Sequence, residues 1–249
     1  MYQKLLLFRR FILQFLVPDI FWPEEISIDG VSVPLRKMKY SFGTKWILTK
    51  GQYEAEERKL LVPILKQGMQ VLEMGSSIGI VTAIIADKIG STGKMVAIEA
   101  ADSLVSNSAE WLSRYPHLHL VNGFAFPVAE VPALDIAGFD EVRGNLGGVV
   151  VFGQGTVPAK YNNRVWDINR VCRDYNLQPE LLVVDIEGSE VVLATQPMQC
   201  PASVRFILME FHPGLYPNGK NDENAIRSSI LSAGFREINR SNGVSLFER

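Results

Sequence analysis

Residues 70–79 read Gln-Val-Leu-Glu-Met-Gly-Ser-Ser-Ile-Gly, and an apolar run, Ile-Val-Thr-Ala-Ile-Ile-Ala, follows at once. A short apolar stretch that breaks at a glycine and resumes as a longer one reads as a buried strand (Gln70 to Gly75), a sharp turn and a helix over 78–89. Gly75 supplies backbone angles that a side chain resists, and Gly79 lets the helix sit close to the sheet or the backbone approach a ligand. Gly90 suits the helix C-cap. A second strand, Lys94 to Ala100, carries Glu99 at its end, 20 residues past Gly79, the spacing of one crossover helix. An acid there can accept two ribose hydroxyl hydrogen bonds.

Working outward, the same alternation continues. A helix over Ser103 to Tyr115 stops at Pro116, and His117 to Phe126 gives a third strand. Residues 127–165 break the rhythm with scattered Gly and Pro and one short strand, Gly148 to Phe152; a loop this long inside a compact domain is usually functional. Then follow a helix over Val165 to Tyr175, a strand over Leu181 to Asp185, a short helix over 189–195, a strand over Arg205 to Phe211 and a helix over Asn224 to Ser232. Strands at Phe235 to Asn239 and Val244 to Glu248 close the chain as a hairpin around Ser241-Asn242-Gly243. Strands alternating with helices imply an α/β, Rossmann-like, doubly wound and mostly parallel sheet, with ligands at the carboxyl ends of its strands.

Upstream, Ile26 to Lys37 alternates around Asp29-Gly30, a hairpin signal, and residues 54–65 read as a helix broken at Pro63. The expected organisation is an N-terminal extension over 1–50, an apolar-basic helix plus this hairpin, and a catalytic-type domain over 51–249. Arg9 and Arg10 split the apolar residues 1–20 into runs shorter than the roughly 20 residues a spanning helix needs, and no small-residue cleavage site follows. The segment is expected to pack on the protein or a second subunit, with peripheral membrane contact as the alternative.

The 249 residues carry Lys+Arg 25 against Asp+Glu 27, a net charge of −2. That balance offers no broad basic surface, so no nucleic-acid partner is expected. Hydrophobic residues at 47% exclude a disordered chain, and two cysteines, Cys172 and Cys200, are too few for a disulfide framework or a thiolate zinc site. A cytoplasmic location fits those thiols, and a homo-oligomer is left open.

The turn spacing is G-x-x-x-G, with Ser77 where a dinucleotide fingerprint has its second glycine. Glu73, just before the turn, would repel a pyrophosphate and attract the ammonium and sulfonium of S-adenosylmethionine. The cofactor expected from the residues is therefore S-adenosylmethionine rather than NAD. The second motif is Val184-Asp185-Ile186-Glu187-Gly188-Ser189-Glu190. Asp185 and Glu187 can share a face at a strand end, whereas Glu190 falls in the first turn of a helix, where the dipole alone favours an acid.

Taken together, Gly51-Gln-Tyr-Glu54, Leu72 to Gly79, Val96 to Ala100, Val183 to Glu190 and Ile207 to Pro213 resemble the FkbM-type S-adenosylmethionine-dependent methyltransferases. The resemblance implies a seven-stranded sheet with its last strand antiparallel. It also implies O-methylation of a hydroxyl on a sugar, glycan or polyketide-like acceptor. By motif match Glu73, Gly75, Gly79 and Glu99 would hold the cofactor and Asp185 and Glu187 would lie at the reaction centre. Ser76, Ser77, Ala100, Gly123 and Asp185 are further cofactor candidates, and Asp185, Glu187, Glu210 and His212 are the catalytic candidates, one of them taking the hydroxyl proton. The family often has Asp at the first acid, Ala-Asn before the second glycine and Pro after the ribose acid; this chain has Glu73, Ser76-Ser77 and Ala100. The four catalytic candidates are hard ligands that a divalent metal could use, but no tight ligand spacing supports one, and no metal ligand is assigned. The competing readings are an NAD-dependent oxidoreductase on a similar fold and a non-catalytic binding module.

Overall fold

The computed structural model describes residues 19–129, 136–141, 148–152 and 164–249, the two middle-region strands by their backbone alone. The expected helix over residues 1–20 lies almost wholly outside the described residues, as does most of 127–165. The chain divides into two compact units, Met1–Ala55 and Glu56–Arg249.

In the first unit β1 (Ile26–Ile28) and β2 (Val31–Val33) form the expected hairpin. Asp29 and Gly30 both adopt positive φ, 48° and 91°, the twist-matched geometry that favours this pair. Helix α1 (Phe42–Thr49), passed over in the sequence, is capped by Ser41, whose hydroxyl accepts from Thr44 N at 3.2 Å. Its Lys45 is buried and pairs with Asp19 at 2.6 Å.

The second unit opens around α2 (Ala55–Leu61), which Pro63 breaks into a short 3-10 turn as expected. Its centre is a seven-stranded sheet. In chain order the strands are β3 (Gln70–Met74), β4 (Lys94–Glu99), β5 (Leu118–Asn122), β10 (Leu181–Val184), β11 (Phe206–Glu210), β12 (Arg236–Ser241) and β13 (Val244–Glu248). In space they run β12-β13-β11-β10-β3-β4-β5, with β13 alone antiparallel to the rest. This is the doubly wound sheet that the alternation of strands and helices implies, with the antiparallel last strand that the resemblance implies. Alternate residues feed two cores. Leu72, Met74, Val96, Ile98, Leu182 and Val184 join one face. Val71, Ala97, Leu181 and Val183 join the other, against α3 (Ile80–Ile89). Burial on both faces explains why these strands read as continuous apolar runs. The remaining long helices are α4 (Asp102–Leu112) and α6 (Lys220–Ser232), the latter starting four residues earlier than its apolar residues suggest.

Two expectations are corrected in the middle region. His117 to Phe126 is not one strand: β5 ends at Asn122, and β6 (Phe124–Phe126) pairs instead with β9 (Val165–Asp167) in a separate two-stranded sheet. The break falls at Gly123, where a Cβ would lie 2.5 Å from Arg164 O and from the Trp166 ring. Val165 to Tyr175 is accordingly not all helix. Its first three residues are β9, and α5 (Ile168–Asp174) begins where Asp167 accepts from Arg170 N at 2.7 Å. The expected strand at Gly148 to Phe152 is present as β8 (Gly148–Phe152), paired with β7 (Ile136–Glu141), a strand whose glycine and acids hid it.

β3 is the point from which the chain winds first towards β5 and then towards β12, so the topological switch point, where such sheets bind ligands, lies between the carboxyl ends of β3 and β10. There Gly75 has φ +88°, and a Cβ on it would lie 1.6 Å from Asp185 O. Gly68 also has positive φ, +82°, but its nearest neighbour would be Thr92 Oγ1 at 3.8 Å. Gly75→Ala should therefore cost about 4 kcal/mol or more, against about 1–2 kcal/mol for Gly68→Ala. Urea unfolding of both variants checks this; equal costs would mean that the close contact does not exist.

Candidate functional site

The carboxyl ends of β3 and β4 are tied together by the glycine turn. Gly75 N and Ser76 N both donate to Ile98 O, at 2.9 and 3.1 Å. Ser77, at φ 46°, then aims its N–H at Glu99 Oε2, 2.8 Å away. The other carboxylate oxygen of Glu99 accepts from Ala101 N at 2.8 Å. Burial raises the Glu99 pKa, and the backbone N–H donors oppose it. Gly79 packs against Trp111 and Leu112 of α4, where a Cβ would lie 2.8 Å from Leu112 Cδ1, so it fits α3 to the helix beside it.

The structure brings Gly75, Ser76, Ser77, Gly79, Glu99, Ala100 and Gly123 to this one edge. Ala100 O accepts from Arg164 Nη2 at 2.8 Å, and Gly123 N donates to Glu99 O at 2.9 Å. Arg164, which also pairs with Asp102 at 2.8 Å, braces the edge and was not found in the sequence; it sits just before β9, a strand read there as helix. The buried Ser76 hydroxyl has no hydrogen-bond partner among the described residues. Glu73 is placed differently. It points into the layer between β3 and α3, 1% exposed, and its Oε2 accepts from Thr82 Oγ1 at 2.6 Å. Burial there pushes its carboxyl up to about 8, despite the Thr82 hydrogen bond.

Asp185 meets this edge through the backbone: Asp185 N donates to Met74 O at 2.9 Å, and Asp185 O abuts Gly75. Around it stands the second cluster. His212, just past β11, directs Nε2 at Asp185 Oδ1 (3.4 Å), Glu187 Oε2 (3.8 Å) and Glu210 Oε1 (3.9 Å). All four catalytic candidates are therefore together. Its other nitrogen, Nδ1, is 2.7 Å from Glu190 Oε1. Glu190 is wholly buried, accepts from Tyr216 Oη at 2.7 Å, and takes Gly188 N on its second oxygen at 3.0 Å. Tyr216 Oη in turn accepts from His212 N at 2.8 Å. Glu190 therefore locks the imidazole, a role beyond helix capping. The sequence signal for Tyr216 is weak, a position four residues past His212, a one-turn spacing.

The charges interact strongly. Burial alone would push His212 down; the hydrogen bond to Glu190 and the charges of Glu190, Asp185 and Glu187 outweigh it and lift the imidazole to about 9. Burial pushes Asp185 well above the usual carboxylate range, with Glu57, Glu210 and Glu187 adding repulsion and His212 opposing. Burial and the neighbouring Glu187 and Glu190 likewise raise Glu210. His117, by contrast, sets Nε2 2.8 Å from Ala86 O, a contact within the fold.

A family model described as protein-L-isoaspartate(D-aspartate) O-methyltransferase matches residues 38–123, about a third of the chain, ending after β5. No curated protein matches. Among solved structures, Aeropyrum pernix fibrillarin with natively bound S-adenosyl-L-methionine is similar at 9% identity and TM-score 0.41, over 73% of this chain and 66% of that one. A SAM dependent methyltransferase from Aquifex aeolicus is similar at 14% identity and TM-score 0.38, over 77% and 88%. P. horikoshii TYW2 in complex with MeSAdo is similar at 11% identity and TM-score 0.41, over 90% and 68%. Likenesses this distant carry no functional argument.

Glu73 yields a pH prediction. Its pKa is raised from 4.5 to about 8 on folding, so the unfolded chain releases this proton first as pH rises. Its contribution to stability is full below pH 4.5 and is lost as pH climbs through about 8. Glu73→Gln keeps an acceptor for Thr82 and removes the titration. Denaturation at stepped pH between 5 and 8 should show a stability slope shallower by up to about 1.4 kcal/mol per pH unit than in the parent. An unchanged slope would show that Glu73 is ionised in the folded protein.

Proposed function

We propose that the chain is an S-adenosylmethionine-dependent methyltransferase acting on a hydroxyl of a sugar, glycan or polyketide-like acceptor. The observation that carries this reading is the backbone junction of Gly75 with Asp185. It sets a nucleoside-type cradle beside a cluster able to take a proton, at one edge of the sheet. The residues fit the cofactor: Glu99 ends β4 where an acid can accept ribose hydroxyls, the Ser76 hydroxyl is buried and has no hydrogen-bond partner among the described residues, and the acids nearby suit a cationic ligand. The family match over 38–123 covers that cradle and adds support. The FkbM-type assignment within the class draws support from the way two quoted motifs interlock: Glu190 of the first holds His212 of the second.

When bound, S-adenosylmethionine supplies an electrophilic methyl group on its sulfonium. The chain's part is to align the acceptor oxygen with that methyl and sulfur, and alignment is worth up to about 7–11 kcal/mol in ideal intramolecular cases. The oxygen–carbon bond forms as the carbon–sulfur bond breaks, and the hydroxyl proton passes to the acid–histidine cluster. Glu99, held in place by the Ser77 N–H, fixes the nucleoside, Glu73 supports the turn from inside the sheet layer, and Glu190 keeps Nε2 of His212 facing the reaction side.

Isothermal titration should give saturable binding of S-adenosylmethionine and S-adenosylhomocysteine, weakened at least tenfold in Glu99→Ala. Asp185→Asn and His212→Ala should keep that binding and lower kcat by about 10²–10⁴ with an accepted hydroxyl substrate. Affinity for NAD without affinity for S-adenosylmethionine would instead establish the oxidoreductase reading.

A further inference from the structure

The acid–histidine cluster has a composition that proton transfer alone does not require. Asp185, Glu210 and His212 come from the ends of two adjacent strands, and one ligand atom of each lies within 4.8 Å of the others. From His212 Nε2, Asp185 Oδ1 and Glu210 Oε1 stand at 3.4 and 3.9 Å. Neighbouring ligands around an octahedral cation with bonds of about 2.1 Å stand about 3 Å apart, so closure needs only a small shift of flexible side chains. Two further observations point inward to a ligand. Asp185 Oδ1 is out of contact with solvent and has no hydrogen-bond partner among the described residues. His212 is fixed at its far nitrogen by a wholly buried carboxylate, Glu190, itself anchored by Tyr216 and Gly188 N. A carboxylate on one imidazole nitrogen, with the other nitrogen presented to oxygen donors, is the outer-shell arrangement that orients histidine ligands on metals.

We propose that Asp185, Glu210 and His212 bind one divalent first-row cation of the Mn2+ type. The imidazole favours such an ion over Ca2+ or Mg2+, and two carboxylates balance its charge. Three protein donors leave open positions where a hydroxyl oxygen of the acceptor can bind and become more acidic. Glu187, at 43% the most exposed of the four surrounding acids, is then left to take the proton. This role in methyl transfer rests on the function proposed above; binding of the cation does not.

Chelator-treated, dialysed protein is titrated with Mn2+ alone, and free aquo ion is followed by electron paramagnetic resonance. One Mn2+ should bind per chain. The near-isosteric Asp185→Asn and Glu210→Gln should each weaken it at least tenfold, Glu190→Gln by about 10–100-fold, and the surface change Glu110→Gln not at all. Thermal melting and S-adenosylhomocysteine binding are measured on the same samples. Absence of saturable Mn2+ binding to the parent protein overturns the site, as does unchanged binding in both Asp185→Asn and Glu210→Gln. A parent protein that binds S-adenosylhomocysteine but shows no saturable Mn2+ binding refutes this site and spares the methyltransferase reading. Cation binding without nucleoside binding refutes that reading and spares the site.

Discussion

Where β3 and β10 run side by side, Gly75 lies flat against the carbonyl of Asp185, and Met74 O receives Asp185 N at 2.9 Å. Everything proposed for this chain depends on that contact. A residue with a Cβ would push the two strand ends apart, and with them the turn that carries Ser77 and the acids that follow Val184. The contact also needs positive φ at Gly75, so glycine is required twice over, for conformation and for space. From it the turn reaches back to Glu99 on one side, and the Asp185–Glu187–Glu190 segment reaches to His212 on the other.

The second organising feature is electrostatic. Four carboxylates surround one imidazole in a partly buried cluster, an arrangement that needs positive charge among them or protons on some of the acids. The acids favour a proton on His212, and the imidazole is lifted to about 9 rather than lowered by burial. Glu190 differs from the other three acids. It is buried, holds three hydrogen bonds, and makes the ring's orientation independent of whatever occupies the open side. Glu73 is different again: an acid at the end of a core strand, kept mostly neutral at neutral pH and bonded to Thr82 of the next helix.

Much of this was legible in the amino-acid order because its causes are local. Strands buried on both faces read as apolar runs, Gly75 and Gly79 punctuate a strand-to-helix turn, and one crossover helix sets the distance to Glu99. The hairpins at Asp29-Gly30 and Asn242-Gly243 are equally local. What escaped depends on residues far apart in the chain. Gly123 ends β5 because Arg164 and Trp166 crowd it, some forty residues on. Val165 to Asp167 has helix-compatible residues but is claimed by β6. Glu190 looks like an ordinary helix-cap acid until His212 is folded against it. Glu73 reads as a cofactor acid by position, while its burial depends on how α3 returns over the sheet.

The most direct test of the account is a crystal structure with S-adenosylhomocysteine bound. The account predicts ribose hydroxyls on the Glu99 carboxylate, the nucleoside lying along the Gly75–Gly79 turn, and the thioether sulfur facing the recess of Asp185, Glu187 and His212. A ligand bound elsewhere, or one with its sulfur directed away from that recess, would contradict it.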